Sequence, residues 1–433
     1  MKKLFIVALI CSQLACNNKT NHFHMPAEWE PHAAVWLGWE DEYTSFHPSQ
    51  VAMIKALLPH VQVKICTSSD SMQQVAKLLL SKNGIDTGKL LFHSIPGNRY
   101  WIRDHGATFL VNGKGELAVA DFKWDFYGYT GWIKEKYDNN ADSFSKYIKP
   151  VLLPLQQTGR VDSLMAVAEK AAQSPVDIIH EGGSIEVNGK GTLILCEAVV
   201  FQRNPGKTKE AIEKAFKAAL GVTHILWMKS GLADDPHLWF RRIEGNYIGM
   251  GTGGHTDEFV RFVNPNTVLL AWVEEHEKDA NPLARINYER MSENYRILSQ
   301  AKDQDGKPLN IIKVPLPDLI VKKIQARDIK DEEFATTYDV SPFDFKKSEA
   351  PGKGDSLLRV PASSYLNYLV TNGVVLMPTY VAMGSSVEKE RRVIEIIQKQ
   401  FPDRVIKLID AMPINWWGGG IHCSTLQQPV SKK

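Results

Sequence analysis

The chain has 433 residues, 44% hydrophobic and 23% charged, with 11 Trp and no long low-complexity tract. That composition excludes a disordered or fibrous protein and leaves ample material for a buried core. Its 51 basic and 49 acidic side chains give a formal net charge of +2 with no basic stripe, so the charge offers no case for a nucleic-acid partner.

The N-terminus reads as a separate object. Lys2 and Lys3 precede a compact apolar run, Leu4 to Ile10, too short to span a bilayer and typical of a bacterial export signal. Gln13-Leu14-Ala15-Cys16 follows as a lipobox with Gln13 where Leu is usual. The expected organisation is a signal peptide over 1–16 with Cys16 lipidated, plain cleavage being the alternative, then a short linker over 17–24 and a single domain over 25–433. The mature chain is expected outside the cytoplasm, in the periplasm or on the outer membrane, attached to a membrane through that lipid. Oligomeric state is left open.

Of five cysteines, Cys11 leaves with the signal and Cys16 carries lipid, so Cys66, Cys196 and Cys423 remain. Three widely spaced cysteines are no disulfide framework. Cys66 and Cys196 lie in apolar, strand-like runs and read as buried small hydrophobes. Cys423 follows Gly418-Gly419-Gly420-Ile421-His422, where three glycines free the backbone for close approach.

An apolar strand, an Asn-centred turn and a second apolar strand recur four times, at Ala107–Phe122, Gly183–Val199, Glu258–Val273 and Tyr365–Val381. Asn-Gly turns favour hairpins because both positions tolerate positive φ. The turn residues Asn112, Asn188, Asn264 and Asn372 stand 76, 76 and 108 residues apart, as one structural unit reused would. Amphipathic helices are predicted between hairpins, over Lys207–Leu220 and, with a Ser385/Glu388 capping box, Ser385–Phe401. Short strands His224–Met228 and Val405–Ile409 follow them, so the module is hairpin, helix, strand. A fifth copy assembled from Ala33–Trp39 and Cys423–Val430 predicts a closed five-part ring, closure removing sheet edges. Two α/β domains split near Lys207 are the competing layout, but the repeat register runs through that boundary. The charged stretch Gln325–Leu358 has no helical or strand period and reads as a lid or a solvated loop.

Asp104, Glu181, His255, Asp257 and Cys423 all fall where the first strand of a module begins, and a ring would converge them on one centre. His255 and Asp257, two apart, share a face on an extended chain. The set suits a guanidinium, which is planar and needs fixed acceptors: Asp104 and Asp257 to pair with its N–H groups, Cys423 to add to its carbon, His255 to protonate the leaving ammonia and then activate water. Glu181 would orient His255 as the third member of a triad. Carboxylates beside the imidazole favour its cation, which in turn favours thiolate at Cys423. Taken singly, each acid is more often a turn or cap residue; the shared position in the repeat is what argues otherwise. Metal hydrolysis by His, Asp and Cys ligands is the rival, but strand alternation turns His105, His180 and His422 away from the centre, and no HExxH or CxxC exists. A non-catalytic ring scaffold would explain none of the acids.

The motifs Met25-Pro26-Ala27-Glu28-Trp29-Glu30-Pro31-His32, Trp101-Ile102-Arg103-Asp104, Glu181-Gly182-Gly183, Gln202-Arg203-Asn204-Pro205, Gly254-His255-Thr256-Asp257 and Gly418–Cys423 with Gln427-Gln428-Pro429 resemble the agmatine deiminase and Porphyromonas-type peptidylarginine deiminase family. The resemblance implies a five-bladed α/β propeller (pentein) of repeated ββαβ modules, hydrolysis of a guanidinium to a ureido group plus ammonia, and no metal or organic cofactor. It implies Cys423 as nucleophile, His255 as acid–base, Glu181 as its partner, Asp104 and Asp257 on the guanidinium, and Trp101, Arg103 and Asn367 in binding or supporting substrate. Two departures bear on the substrate. Asn98-Arg99-Tyr100 stands where many agmatine deiminases carry an acid, and His105-Gly106-Ala107 alters the Asp-x-Gly-Pro pattern. Arg99 at the mouth would disfavour the cationic tail of agmatine and favour a carboxylate, as in arginine at a peptide C-terminus. The terminal motifs and length favour agmatine, giving N-carbamoylputrescine on the way to putrescine; arginine in protein or peptide, giving citrulline, is the alternative.

Overall fold

The computed structural model describes residues 22–137, 139–237 and 241–432. The export segment and Cys16 lie outside them. Among the described residues no helix is long and apolar enough to cross a membrane.

Five sheets share one plan, an antiparallel hairpin with a third strand added in parallel to its second arm. They are Thr108–Val111, Leu117–Lys123 and Ala172–Ile179; Ile185–Val187, Thr192–Cys196 and His224–Met228; Val260–Asn264, Thr267–Trp272 and Asn310–Pro315; and Leu369–Thr371, Val374–Pro378 and Val405–Ile409. The fifth joins the chain ends: Thr425–Pro429 pairs antiparallel with His32–Gly38, which Gln62–Thr67 and then Leu90–Ser94 extend in parallel. A parallel partner demands a crossover, and helices supply it. They are His47–Leu57, Asp70–Lys82, Lys209–Leu220, Pro282–Gln300 and Val387–Gln400, with Tyr129–Lys136, Ala141–Thr158 and Val161–Glu169 sharing the long crossover of the sheet that begins at Thr108.

The expected helices form with small corrections. Thr208 caps the first through its side chain, which accepts from the Ala211 N–H, and Gly221 ends it at φ +66. The cap of the second is Ser386, not Ser385, whose hydroxyl instead accepts from the Asp318 N–H. The hairpin asparagines act by side-chain bonding rather than by positive φ: Asn112 Oδ1 accepts from the Lys114 and Glu116 N–H groups, and Asn188 Oδ1 from those of Lys190 and Thr192. The predicted edge removal by closure is also corrected. The sheets are separate, and among the described residues none closes on itself. Part of 325–358 is ordered as strand, contrary to its aperiodic sequence: Lys322–Gln325 pairs with Ser356–Arg359, which continues onto Tyr247–Ile248 and Arg242–Glu244 as a sixth sheet.

One buried ion pair ties all five modules together. Arg261, on the first strand of its module, donates from Nη2 to Glu28 Oε2 at 2.5 Å and from Nε to Glu186 Oε2 at 3.0 Å. Its Nη1 reaches the carbonyls of Leu366 and Tyr368. Glu28 in turn pairs with Arg103 (3.3 Å) and with His422 Nε2 (2.7 Å), and accepts from Gln427. Burial alone would raise the Glu28 carboxyl, but His422, Arg261 and Arg103 hold it well below the usual carboxylate range. Breaking a buried pair from one side strands a charge, which costs about 3–5 kcal/mol. Glu28→Ala and Arg261→Ala should each lower the denaturant midpoint accordingly, whereas exposed Arg391→Ala should leave it almost unchanged; equal small effects at all three positions would contradict the central role of the pair.

Candidate active site

Each predicted site residue is delivered by a turn just ahead of a first strand, not by the strand itself. Asp104 lies on the one-turn helix Ile102–His105, Glu181 precedes the 3-10 turn Gly182–Ser184, and His255 caps the one-turn helix Thr256–Phe259 that carries Asp257. Cys423 lies in the turn before Thr425–Pro429. The extended-chain argument for His255 and Asp257 therefore fails in detail, though the turns do bring the residues together. All five are at most 4% exposed, so only a cavity gives access to them.

His255 Nε2 lies 3.2 Å from Glu181 Oε2 and its Nδ1 3.6 Å from Asp104 Oδ1. Arg203 Nε donates to the other Glu181 oxygen at 2.8 Å, locking the carboxylate between cation and imidazole. Asp235 accepts from the N–H groups of Thr252, Gly254 and His255, which fixes the His255 backbone. Asp104 accepts from Tyr127 O–H at 2.8 Å and from the Gly183 N–H at 2.9 Å. A Cβ at Gly183 would stand 2.7 Å from His255 Nδ1 and 2.8 Å from Asp257 Oδ2, so only glycine lets the groups approach this closely. The triglycine follows the same logic: a Cβ at Gly420 would meet Asn367 Oδ1 at 2.4 Å.

Asn367 Nδ2 lies 3.1 Å from Cys423 Sγ and donates to Glu258 Oε1 at 2.8 Å, while its Oδ1 accepts from the His422 N–H. Cys423 Sγ lies 3.6 Å from Asp257 Oδ2. His422, expected to face away, instead puts Nδ1 2.8 Å from Asp257 Oδ2, because strand alternation does not govern a turn. His105 and His180 do turn away, to the Arg99 N–H and the Ser184 hydroxyl. Arg103, expected at the substrate, is also corrected: it bonds Glu28, Gln427 and the His422 carbonyl behind the site. Asp257 Oδ1 and His255 Nδ1 are buried with no hydrogen-bond partner among the described residues.

Electrostatics corrects the thiolate expectation. Burial by itself would push the His255 imidazole down, but Asp104, Glu181 and Asp257 outweigh it and carry the group up to about 9, so the imidazole is cationic at neutral pH. Burial raises the Cys423 thiol well above its usual value, and Asp257, Glu258 and Asp104 raise it further, so the sulfur is held as a neutral thiol. Burial also raises Asp104, with Asp257 and Glu181 adding to the shift against the opposing pull of His255. Asp257, Glu258 and Cys423 bring one donor atom each within 4.8 Å of one another, a trio able to meet a metal ion. Burial and the nearby Asp257, Asp235 and Asp234 hold the Glu258 carboxyl well above its usual value.

A cavity of about 280 Å³ reaches Cys423 and Asp104 between Trp101, Tyr127, Phe46, Phe126 and Trp417. Sequence reasoning does not reach Tyr127, Phe126 and Phe334. The first two lie in an aromatic-dense loop at positive φ (57 and 44), and that density of rings is the available signal. Phe334 comes from the 325–358 insertion and lies 5.8 Å from the Trp417 ring; Asp344, from the same insertion, pairs with Arg241 in the cavity wall at 3.1 Å. Arg99 lines the mouth as expected, but paired with Glu40 at 3.4 Å.

A model of the Porphyromonas-type peptidyl-arginine deiminase family matches residues 24–429. An agmatine deiminase of Pseudomonas aeruginosa is 28% identical over 425 residues, covering 96% of this chain and 98% of its own. One of Ectopseudomonas mendocina is 28% identical over 427 residues, with the same coverage. Among solved structures, the agmatine deiminase of Enterococcus faecalis superposes with a TM-score of 0.71 at 24% identity, covering 95% of this chain and 97% of its own. A substrate-bound variant of the C. jejuni agmatine deiminase gives 0.64 at 18% identity, with 95% and 98% covered. These structural likenesses establish the fold.

The raised His255 value makes a signed statement about stability. A group carried from 6.5 to about 9 on folding contributes stability that is fully present below pH 6.5 and is lost as pH rises through 9. Unfolding free energy of the wild type should thus fall between these limits relative to His255→Gln; parallel curves for the two proteins across that window would show that the imidazole is not held as a cation.

Proposed function

The chain belongs to the Porphyromonas-type peptidyl-arginine deiminase family, a hydrolase of C–N bonds in linear amidines, and we propose that its substrate is agmatine, converted to N-carbamoylputrescine and ammonia through a covalent Cys423 intermediate. The observation that carries this reading is the buried Asp257 Oδ1, without a donor among the described residues, on a carboxylate whose Oδ2 stands 3.6 Å from Cys423 Sγ, with Asp104 lining the same cavity. Buried acceptors demand donors, and a guanidinium presents N–H groups in one plane to both carboxylates.

The same cation supplies what the thiol lacks. Placed between Asp104 and Asp257, its positive charge offsets the carboxylates that hold the Cys423 proton. The Cys423 proton then passes to solvent through the cavity as Sγ bonds to the guanidinium carbon. His255, already cationic, gives its proton to the departing nitrogen, and the C–N bond breaks to release ammonia. The now neutral imidazole accepts a proton from water, whose oxygen adds to the amidino-thioether carbon. Collapse expels the sulfur and passes the adduct's hydroxyl proton to it, leaving a ureido product, a neutral Cys423 thiol and a cationic His255. Asn367, 3.1 Å from the sulfur, steadies it through both steps.

The substrate preference draws support from the agmatine deiminases among the relatives, and from the pairing of Arg99 with Glu40, which answers the repulsion Arg99 alone would exert on a cationic tail. Within this reading the five modules are the blades of an α/β propeller around the site. Lys2, Lys3 and the Cys16 box support an exported lipoprotein.

Cys423→Ala should reduce ammonia release from agmatine to background while leaving the unfolding transition in place, and iodoacetamide should inactivate the wild type with a chelator having no effect. Substantial turnover by Cys423→Ala would sink the covalent mechanism. Loss of activity to a chelator, with iodoacetamide inert, would move the chemistry to the Asp257, Glu258 and Cys423 trio.

A further inference from the structure

Resting on the guanidine-hydrolysis reading, we infer that Glu40 and Arg99 form the specificity device at the mouth, with Glu40 receiving a primary ammonium at the far end of the substrate and Arg99 acting as its displaceable resident counter-ion.

Both residues line the cavity that ends at Cys423 and Asp104. Their acidic and basic members are held very differently. Glu40 has a side chain only 12% exposed, and its Oε2 is fixed by the Tyr100 N–H at 3.0 Å, leaving Oε1 as the variable acceptor. Arg99 meets that oxygen through Nε alone, at 3.4 Å, and is 37% exposed. A single long contact to a part-exposed guanidinium is among the weakest of ion pairs, since solvent competes for both ends. Burial raises the Glu40 carboxyl and Arg99 only partly counters this, so a closer cation would find the acid undersatisfied.

The surrounding wall decides the sign of the tail. Tyr43, Phe46, Trp101, Phe126 and Trp417 present ring faces and edges to the same cavity. Ring faces attract cations and repel anions, and Arg99 already exploits one, its guanidinium standing 5.8 Å from the Phe126 centroid. That contact gives Arg99 somewhere to stay when it leaves Glu40. A carboxylate tail, by contrast, would have to pull Arg99 from both Glu40 and Phe126 and would sit against Glu40 itself. The other wall cation, Arg241, is paired with Asp344 at 3.1 Å.

The test compares three guanidines of one chain length that differ only in the tail: agmatine (ammonium), butylguanidine (neutral) and 4-guanidinobutyrate (carboxylate). The readout is the ratio of kcat/KM values within each protein. In Glu40→Gln the ratio of agmatine to butylguanidine should fall about tenfold or more, as expected when a charge-assisted contact is lost. In Arg99→Gln the same ratio should rise several-fold, because the competitor for Glu40 is gone. An agmatine ratio unchanged in Glu40→Gln, or lowered in Arg99→Gln, overturns the assignment. So does a wild type that prefers 4-guanidinobutyrate and loses that preference in Arg99→Gln. Calorimetric binding of the three compounds to Cys423→Ala, with and without Glu40→Gln, reads the tail apart from the chemistry. Ammonium selectivity in binding with no ammonia released by the wild type would sink the deiminase reading and leave the mouth assignment standing; binding without tail discrimination would do the reverse.

Discussion

The Glu28–Arg261 pair is the constraint on which the rest of the structure depends. Two opposite charges buried at a meeting point of five separate sheets are costly to desolvate and stable only with every remaining valence met. Here they are met by groups from every module: Arg103, Glu186, the Leu366 and Tyr368 carbonyls, and His422 with Gln427. Displacement of any one module would therefore expose a charge to a low-dielectric interior. Glu28 arrives from the N-terminal segment, which is itself tied down by backbone bonds from His24 to Val111 and from Met25 to Leu220. A stretch of chain outside the repeats thus supplies the anion around which the repeats are arranged.

The same pair reaches Cys423. Glu28 bonds His422 Nε2, the opposite nitrogen of that ring meets Asp257 Oδ2, and Asp257 stands beside Cys423. Burial would raise the Asp257 carboxyl, but His422 leads the groups that lower it, so Asp257 stays ionised where Asp104 does not as readily. His422 thus favours charge on Asp257, while burial opposes charge on Asp104 and His255 partly offsets it. In the proposed reaction the charge of the ligand itself confers reactivity on the thiol, which makes cation recognition and activation a single event.

Much of this is legible in sequence because the repeat is written in hydrophobic pattern and turn residues, and pattern survives where identity does not. Asn112, Asn188, Asn264 and Asn372 mark four hairpins, and the positions ahead of them carry Asp104, Glu181, His255 with Asp257, and Asn367. What the pattern does not carry is local geometry. One-turn helices such as Ile102–His105 and Thr256–Phe259 are too short to leave a period, so the stretch reads as strand, and the same strand logic sends His422 to the wrong side. Long-range partners leave no trace either: nothing local to Glu28, Arg261 or Arg103 announces that they meet, so Arg103 reads as a substrate residue. Phe334 is hidden in a stretch that reads as either a lid or a solvated loop, since one apolar residue among charges is as readily an exposed side chain as a wall.

The placement of wiring and slack in the molecule separates chemistry from selectivity. The reacting groups sit at equivalent positions of the repeated modules, are almost wholly buried, and each is bonded to at least one other buried group. A change in any of them propagates to the centre and to stability. The mouth is built from outside the repeats or from their connections, with Arg99 and Glu40 on loops and Phe334 and Asp344 on the insertion. Its Arg99–Glu40 pair is part-exposed through Arg99, and such pairs contribute little to folding. The mouth can therefore exchange the sign of its charges at small cost to the fold, while the centre cannot. Selectivity for the tail is accordingly the property most free to differ between chains that share this centre, and the proposed device of Glu40 with Arg99 sits in that free part.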